Sequence, residues 1–118
     1  MEYAKLGTSD LNVSTVGLGC NNFGMRLFDQ EQVNVIVNTA LDAGINFFDT
    51  ADMYGNGASE QFLGKALGSR RTEVIVGTKF GMKMDDDDNK QGASRRYILE
   101  AVEASLSRLG SDYIDLYQ

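Results

Sequence analysis

Three side chains in the middle of this chain, Asp49, Tyr54 and Lys79, are of the types that could do chemistry together. A phenol whose ordinary pKa is about 10 is a sluggish proton donor at neutral pH, and a nearby ammonium improves it by favouring the phenolate. Lys79 could supply that charge. A lysine taken out of water tends to lose its proton, so a carboxylate such as Asp49 is needed to hold it charged and in place. Acid, modulator and anchor together describe a general-acid site, suited to protonating a carbonyl oxygen as hydride arrives at the carbon. On spacing alone, Asp49 capping a loop, Tyr54 packing on it and Lys79 as a solvated amine is the commoner arrangement.

The elements that must position these residues are legible as alternating runs. Tyr3 to Leu6 and Leu11 to Ser14 flank Gly7-Thr8-Ser9-Asp10 and read as a hairpin. A short strand, Val16 to Gly19, follows. Asp29 then opens a helix whose Val33, Ile36, Val37, Ala40 and Leu41 share one face, and Gly44 ends it. Ile45 to Phe48 is a buried strand, and a second helix runs from a Ser59 cap to Gly68. Val74 to Val76 is a third strand. A helix capped by Ser94 and stopped by Gly110 leads to a fourth strand, Tyr113 to Tyr117. This βαβ alternation builds a parallel α/β sheet with right-handed crossovers, and the continuous apolar strands fit a barrel or a doubly wound sheet. In either, reacting groups gather at the carboxyl ends of the strands, where Asp49, Tyr54 and Lys79 fall.

Composition closes off other chemistries. The 118 residues include no histidine and one cysteine, Cys20, so no internal disulfide, Ser/His pair or usual zinc site can form, and no metal is expected. Eleven Lys and Arg against seventeen Asp and Glu give a formal charge of -6, which disfavours nucleic acid as a partner. The opening Met-Glu-Tyr-Ala-Lys lacks the apolar core of a signal peptide and no run would span a bilayer, so the expectation is a cytoplasmic protein without a membrane partner. The stretch from Gly17 to Gly24 would need glycine at Asn22 to match the dinucleotide fingerprint, and close packing by Gly17 and Gly19 at a strand top accounts for it better. Asp85 to Asp88 reads as a solvated charge run without calcium-site spacing, and Arg70-Arg71 and Arg95-Arg96 as solvated helix-end charges. Cys20 reads as a small packed residue.

Lys5-Leu6-Gly7, Val16 to Gly19, Gly44 to Gly55, Ser59 to Leu67, Val76 to Lys79 and Leu109 to Gln118, with Phe48 to Gly55 and Ser59-Glu60 the most specific, together resemble the aldo-keto reductase superfamily. The resemblance covers nearly the whole chain. It implies a (β/α)₈ TIM barrel whose bottom is plugged by the hairpin, with residues 1–118 supplying the N-terminal half of a single domain: the hairpin, about four strands and three helices. It implies NADP as cofactor and reduction of small-molecule aldehydes or ketones to alcohols. Tyr54 would be the general acid, Lys79 the cation that modulates it, and Asp49 the partner of Lys79, close also to the nicotinamide ribose. Gly19, Cys20 and Asn21 would line the site near the nicotinamide.

The family's fourth catalytic member, a histidine just after the Leu-Tyr-Gln pattern, and most of its cofactor contacts would lie beyond Gln118. The chain alone is therefore expected to be an inactive fragment prone to self-association, since four strands cannot close a barrel. Two alternatives come from other classes: a catalytically silent member that senses nucleotide or regulates a partner, as potassium-channel beta subunits resembling this family do, and a truncated gene product.

Overall fold

The computed structural model describes Met1–Gln118, which form a two-stranded hairpin and a four-stranded parallel sheet backed by three helices. In chain order the elements are β1 (Tyr3–Lys5), β2 (Asn12–Ser14), β3 (Leu18–Gly19), α1 (Gln30–Asp42), β4 (Phe47–Asp49), α2 (Ala58–Leu67), β5 (Ile75–Thr78), α3 (Arg95–Leu109) and β6 (Leu116–Tyr117). Single 3-10 segments, Tyr54–Gly57 and Gly68–Glu73, flank α2. The hairpin is antiparallel, and the sheet runs β3-β4-β5-β6 with every neighbour parallel.

Helix ends follow local chemistry. The Asp29 carboxylate accepts from the Glu31 amide at 2.9 Å and the Ser94 hydroxyl from the Tyr97 amide at 3.1 Å, satisfying amides that have no partner inside α1 and α3. Gly110 stops α3 in the left-handed region, at φ 62. The second helix differs from the expectation. Its N-cap is Gly57 and Ser59 lies inside its first turn, where the serine hydroxyl donates to the Cys20 carbonyl instead of capping.

The apolar faces of all three helices meet one face of the sheet. Val33, Val37, Leu63, Leu67 and Leu109 bury Phe48 and Val76 completely or nearly so, each such side chain contributing on the order of 1.5–3 kcal/mol. Gly64 permits α2 and α3 to cross closely: a Cβ there would lie 2.3 Å from the Leu109 carbonyl oxygen, so any side chain would force the helices apart. Because side chains alternate along a strand, Phe48 and Val76 face the helices while Phe47, Asp49 and Gly77 face the other way.

The strands are shorter and shifted relative to the apolar runs, for identifiable reasons. The Ser14 hydroxyl donates to the Val16 carbonyl, so β3 begins only at Leu18. Asp115 sits where the fourth strand was expected to be under way, and its carboxylate takes the Val76 amide at 2.9 Å in place of a backbone ladder bond. The same oxygen accepts from Arg71 Nη2 at 2.8 Å, and the Arg71 guanidinium lies 4.1 Å above the Tyr113 ring. Arg71 is thus a buried strut between the α2–β5 connection and the start of β6, and the expectation of a solvated charge is corrected. Arg70 stays at the surface with Asp42 and Glu73.

Asn46 fastens the hairpin to the sheet. Its side chain accepts from the Ser14 amide at 2.7 Å and donates to the Asn12 carbonyl at 3.0 Å, immediately before β4 begins. The hairpin is therefore held at the amino ends of the strands, leaving the carboxyl ends open.

Candidate active site

Asp49 ends β4, Lys79 follows β5, and Tyr54 opens the 3-10 turn between β4 and α2. Parallel pairing sets Asp49 beside Gly77 on one side and Gly19 on the other, so the side chain two residues beyond Gly77 reaches across the Asp49 carboxylate. Lys79 Nζ lies 2.7 Å from each Asp49 carboxylate oxygen and 2.9 Å from the Thr50 carbonyl. An ammonium has three hydrogens, and these three acceptors take them all. The same nitrogen stands 5.1 Å from the centre of the Tyr54 ring, a cation beside the aromatic face whose hydrogen bonds go to Asp49 and Thr50 and not to the phenol. The pair is about one-third exposed, which leaves the carboxylate accessible from the open face of the sheet.

The residues expected near a nicotinamide occupy the adjacent strand end. Gly19 is exposed with nothing within 4 Å of where its Cβ would stand, so it leaves space beside Asp49 instead of the close packing expected of it. Gly17 does pack closely, with a Cβ position 3.1 Å from the Phe47 ring. Asn21 is exposed. The Cys20 side chain is fully buried in the core, and burial, reinforced by the Asp49 charge, pushes its thiol up to about 12, so the sulfur stays protonated at neutral pH. Only its backbone faces the site: Cys20 donates its amide to the Asp49 carbonyl at 2.8 Å.

Behind this rim lies a buried polar layer that sequence reading did not find. The Thr50 and Ser59 hydroxyls are 2.8 Å apart, and Ser59 donates to the Cys20 carbonyl at 2.7 Å. Glu60 accepts from the Thr78 hydroxyl and from Arg108 Nε, both at 2.6 Å. One signal was present: Glu60 stands three residues before Leu63 and seven before Leu67, on the buried stripe of α2, where a carboxylate requires a partner. The buried Tyr117 hydroxyl has no partner in the chain, and burial followed by the charges of Asp52 and Glu60 raises its pKa.

Asp52 sits in the same layer at 2% exposure, beside a cavity of about 110 Å³ shared with Arg108, Lys90, Asp85, Tyr97 and Glu100. Burial, then the Glu60 charge, raises its carboxyl to about 6. The folded state thus holds the proton more tightly than the unfolded chain, and stability attached to this group is present at low pH and lost as pH rises from about 4 to about 6. Asp52→Asn, which mimics the neutral form, is expected to stabilise the protein at pH 7.5 by on the order of 1–2 kcal/mol and to change little at pH 4. Thermal midpoints of both forms at the two pH values check this, and equal shifts at both would refute it.

The aspartate run is held by local partners. Asp85 pairs with Lys90 at 2.9 Å and accepts from the Asn56 amide, Asp88 pairs with Lys83 at 2.7 Å, and Asp87 accepts from the Asn89 amide. The contact between Asp85 and Asn56, which is itself left-handed at φ 51, links this loop to the turn that carries Tyr54.

Comparison with known proteins bears on the family and the fold of the chain. The model of the aldo/keto reductase family matches residues 15–118. An uncharacterized oxidoreductase of Bacillus subtilis, YqkF, is 45% identical over 120 residues, covering 100% of this chain and 38% of that protein. Versiconal hemiacetal acetate reductase of Aspergillus parasiticus is 40% identical over 143 residues, covering 100% of this chain and 41% of its own length. A probable voltage-gated potassium channel subunit beta of Arabidopsis thaliana is 40% identical over 120 residues, covering 98% and 36%. An aldo-keto reductase of Bacillus halodurans, solved in its holo form, superposes with a TM-score of 0.90 at 45% identity, over 100% of this chain and 39% of that one. The chain therefore spans about two-fifths of the length of these relatives, and its hairpin, four parallel strands and three helices correspond to part of their TIM barrel. By sequence and by fold, this chain belongs to the aldo/keto reductase family.

Proposed function

We propose that the protein is an NADP-dependent oxidoreductase of the cytoplasm that reduces small aldehydes or ketones to alcohols, with residues 1–118 forming the N-terminal half of its single barrel domain. The observation that carries this reading is the Lys79 ammonium lodged between the Asp49 carboxylate and the Tyr54 ring at an open strand end.

The residues present fit the nicotinamide end of such a cofactor. Gly19 leaves clear space next to Asp49, and the carboxylate keeps lone pairs for a ribose hydroxyl after accepting from Lys79. Asn21 offers an exposed amide, and Cys20 contributes backbone only. When bound, the reduced nicotinamide supplies hydride to the carbonyl carbon. Tyr54 donates its phenolic proton to the carbonyl oxygen, Lys79 stabilises the phenolate that remains, and Asp49 holds Lys79 charged and in place.

The identity to a potassium channel subunit supports a second reading, in which the same site binds nucleotide and regulates a partner without rapid turnover. Following NADPH and NADH absorbance with a panel of aldehydes and ketones on the intact protein separates the two. Carbonyl-dependent oxidation, faster with NADPH, is the expected result. Tight NADPH binding without carbonyl-dependent oxidation would overturn the enzymatic reading in favour of the regulatory one.

A further inference from the structure

Glu60 is fully buried in the first turn of α2. An ionised carboxylate there carries a steep desolvation cost, which an apolar side chain of similar volume would avoid. Its partners show what the charge holds. One oxygen accepts from the Thr78 hydroxyl and the other from Arg108 Nε, each at 2.6 Å, and Arg108 is steadied in turn by the Ser105 hydroxyl at 3.3 Å. Thr78 is the last residue of β5, so the next residue is Lys79. The Lys79 carbonyl accepts from the Asp52 amide at 3.1 Å, which ties the loop carrying Tyr54 to the same point. Next to Glu60, Ser59 joins the ends of β3 and β4 through the Cys20 carbonyl and the Thr50 hydroxyl.

We propose that Glu60 is a positioning residue: braced by Arg108, it grips the Thr78 hydroxyl and thereby sets where the Lys79 ammonium lies between Asp49 and Tyr54. The inference rests on the general-acid reading of the site, and Glu60 itself touches none of the reacting atoms. Two consecutive residues of one helix turn thus hold the carboxyl ends of three strands from behind, while the catalytic groups project from the other side. The grip is directional. A carboxylate accepting one hydroxyl and one guanidinium N–H fixes both donors at short, charge-assisted distances.

The test uses the intact protein with Thr78→Val, which keeps the shape and removes the hydroxyl, Thr78→Ser, which restores it, and Glu60→Gln. For Thr78→Val, kcat is expected to fall about tenfold with the carbonyl KM within about twofold, since misplacement of a catalytic group acts on the chemical step. Thr78→Ser is expected to recover kcat. Glu60→Gln combined with Thr78→Val should be no worse than the stronger single change, because both cut one contact. The second readout, independent of turnover, is the ¹⁵N NMR signal of the Lys79 ammonium, whose three hydrogens meet three acceptors in the parent protein and are expected to exchange slowly there. It should broaden or vanish in Thr78→Val and return in Thr78→Ser. An unchanged ammonium signal in folded Thr78→Val and Glu60→Gln overturns the proposal whatever the activity. Absence of turnover in the parent protein, by contrast, defeats the general-acid reading and leaves the ammonium signal to decide the role of Glu60. Thr78→Ala substitutes if the valine variant does not fold.

Discussion

Replacing Tyr54 with phenylalanine in the intact protein is expected to lower kcat for carbonyl reduction by about 10²–10⁴-fold, the usual contribution of a positioned general acid. The change removes one oxygen and leaves the ring, so the face lying 5.1 Å from Lys79 Nζ is preserved. The ammonium is also unaffected in its own bonds, since Asp49 and Thr50 and not the phenol take its hydrogens. NADPH affinity should therefore remain within a few-fold of the parent, and the loss should fall on the chemical step. Steady-state kinetics at saturating NADPH, with cofactor binding followed by fluorescence, give both quantities. A loss smaller than tenfold would show that another group delivers the proton, and the role assigned to Tyr54 would have to be withdrawn.

What the sequence disclosed and what it hid divide along a physical line. Helix signals are local: Asp29, Ser94, Gly44 and Gly110 act on backbone groups within a few residues, and all four stand at the ends where they were read. The order of strands and helices followed from periodicity for the same reason. The approach of Asp49 to Lys79 bridges 30 residues, and the sequence suggested it only because parallel α/β folds gather strand ends on one rim. Nothing local points Glu60 to Thr78, 18 residues away, or to Arg108, 48 residues away. Arg71 and Asp115 were hidden likewise, 44 residues apart, and together they shortened a strand that composition alone made longer. Ser59 was misplaced because a serine before an apolar run looks like a cap, whereas its hydroxyl is committed to another strand.

The 118-residue polypeptide expressed by itself is expected to self-associate and to show no NADPH turnover. In the sheet order β3-β4-β5-β6, β3 pairs only with β4 and β6 only with β5, so one backbone edge of each outer strand has no partner. The face opposite the helices is uncovered as well. Phe47, Ile75 and Leu116 remain partly exposed there, Val16 is 54% exposed before β3, and the molecule measures only 21 Å along its shortest dimension against 42 and 37 Å along the others. Rearranging side chains cannot satisfy backbone edges, but a second copy can. Two such sheets related by a twofold axis would bring eight parallel-stranded segments around a common interior, burying both apolar faces and pairing the edges. Light scattering behind size exclusion, run over a concentration series, should give a mass above 12.9 kDa that rises with concentration, together with binding of an apolar dye. A 12.9 kDa monomer with cooperative unfolding and no dye binding would mean that the open face is closed in solution by a rearrangement of the four strands.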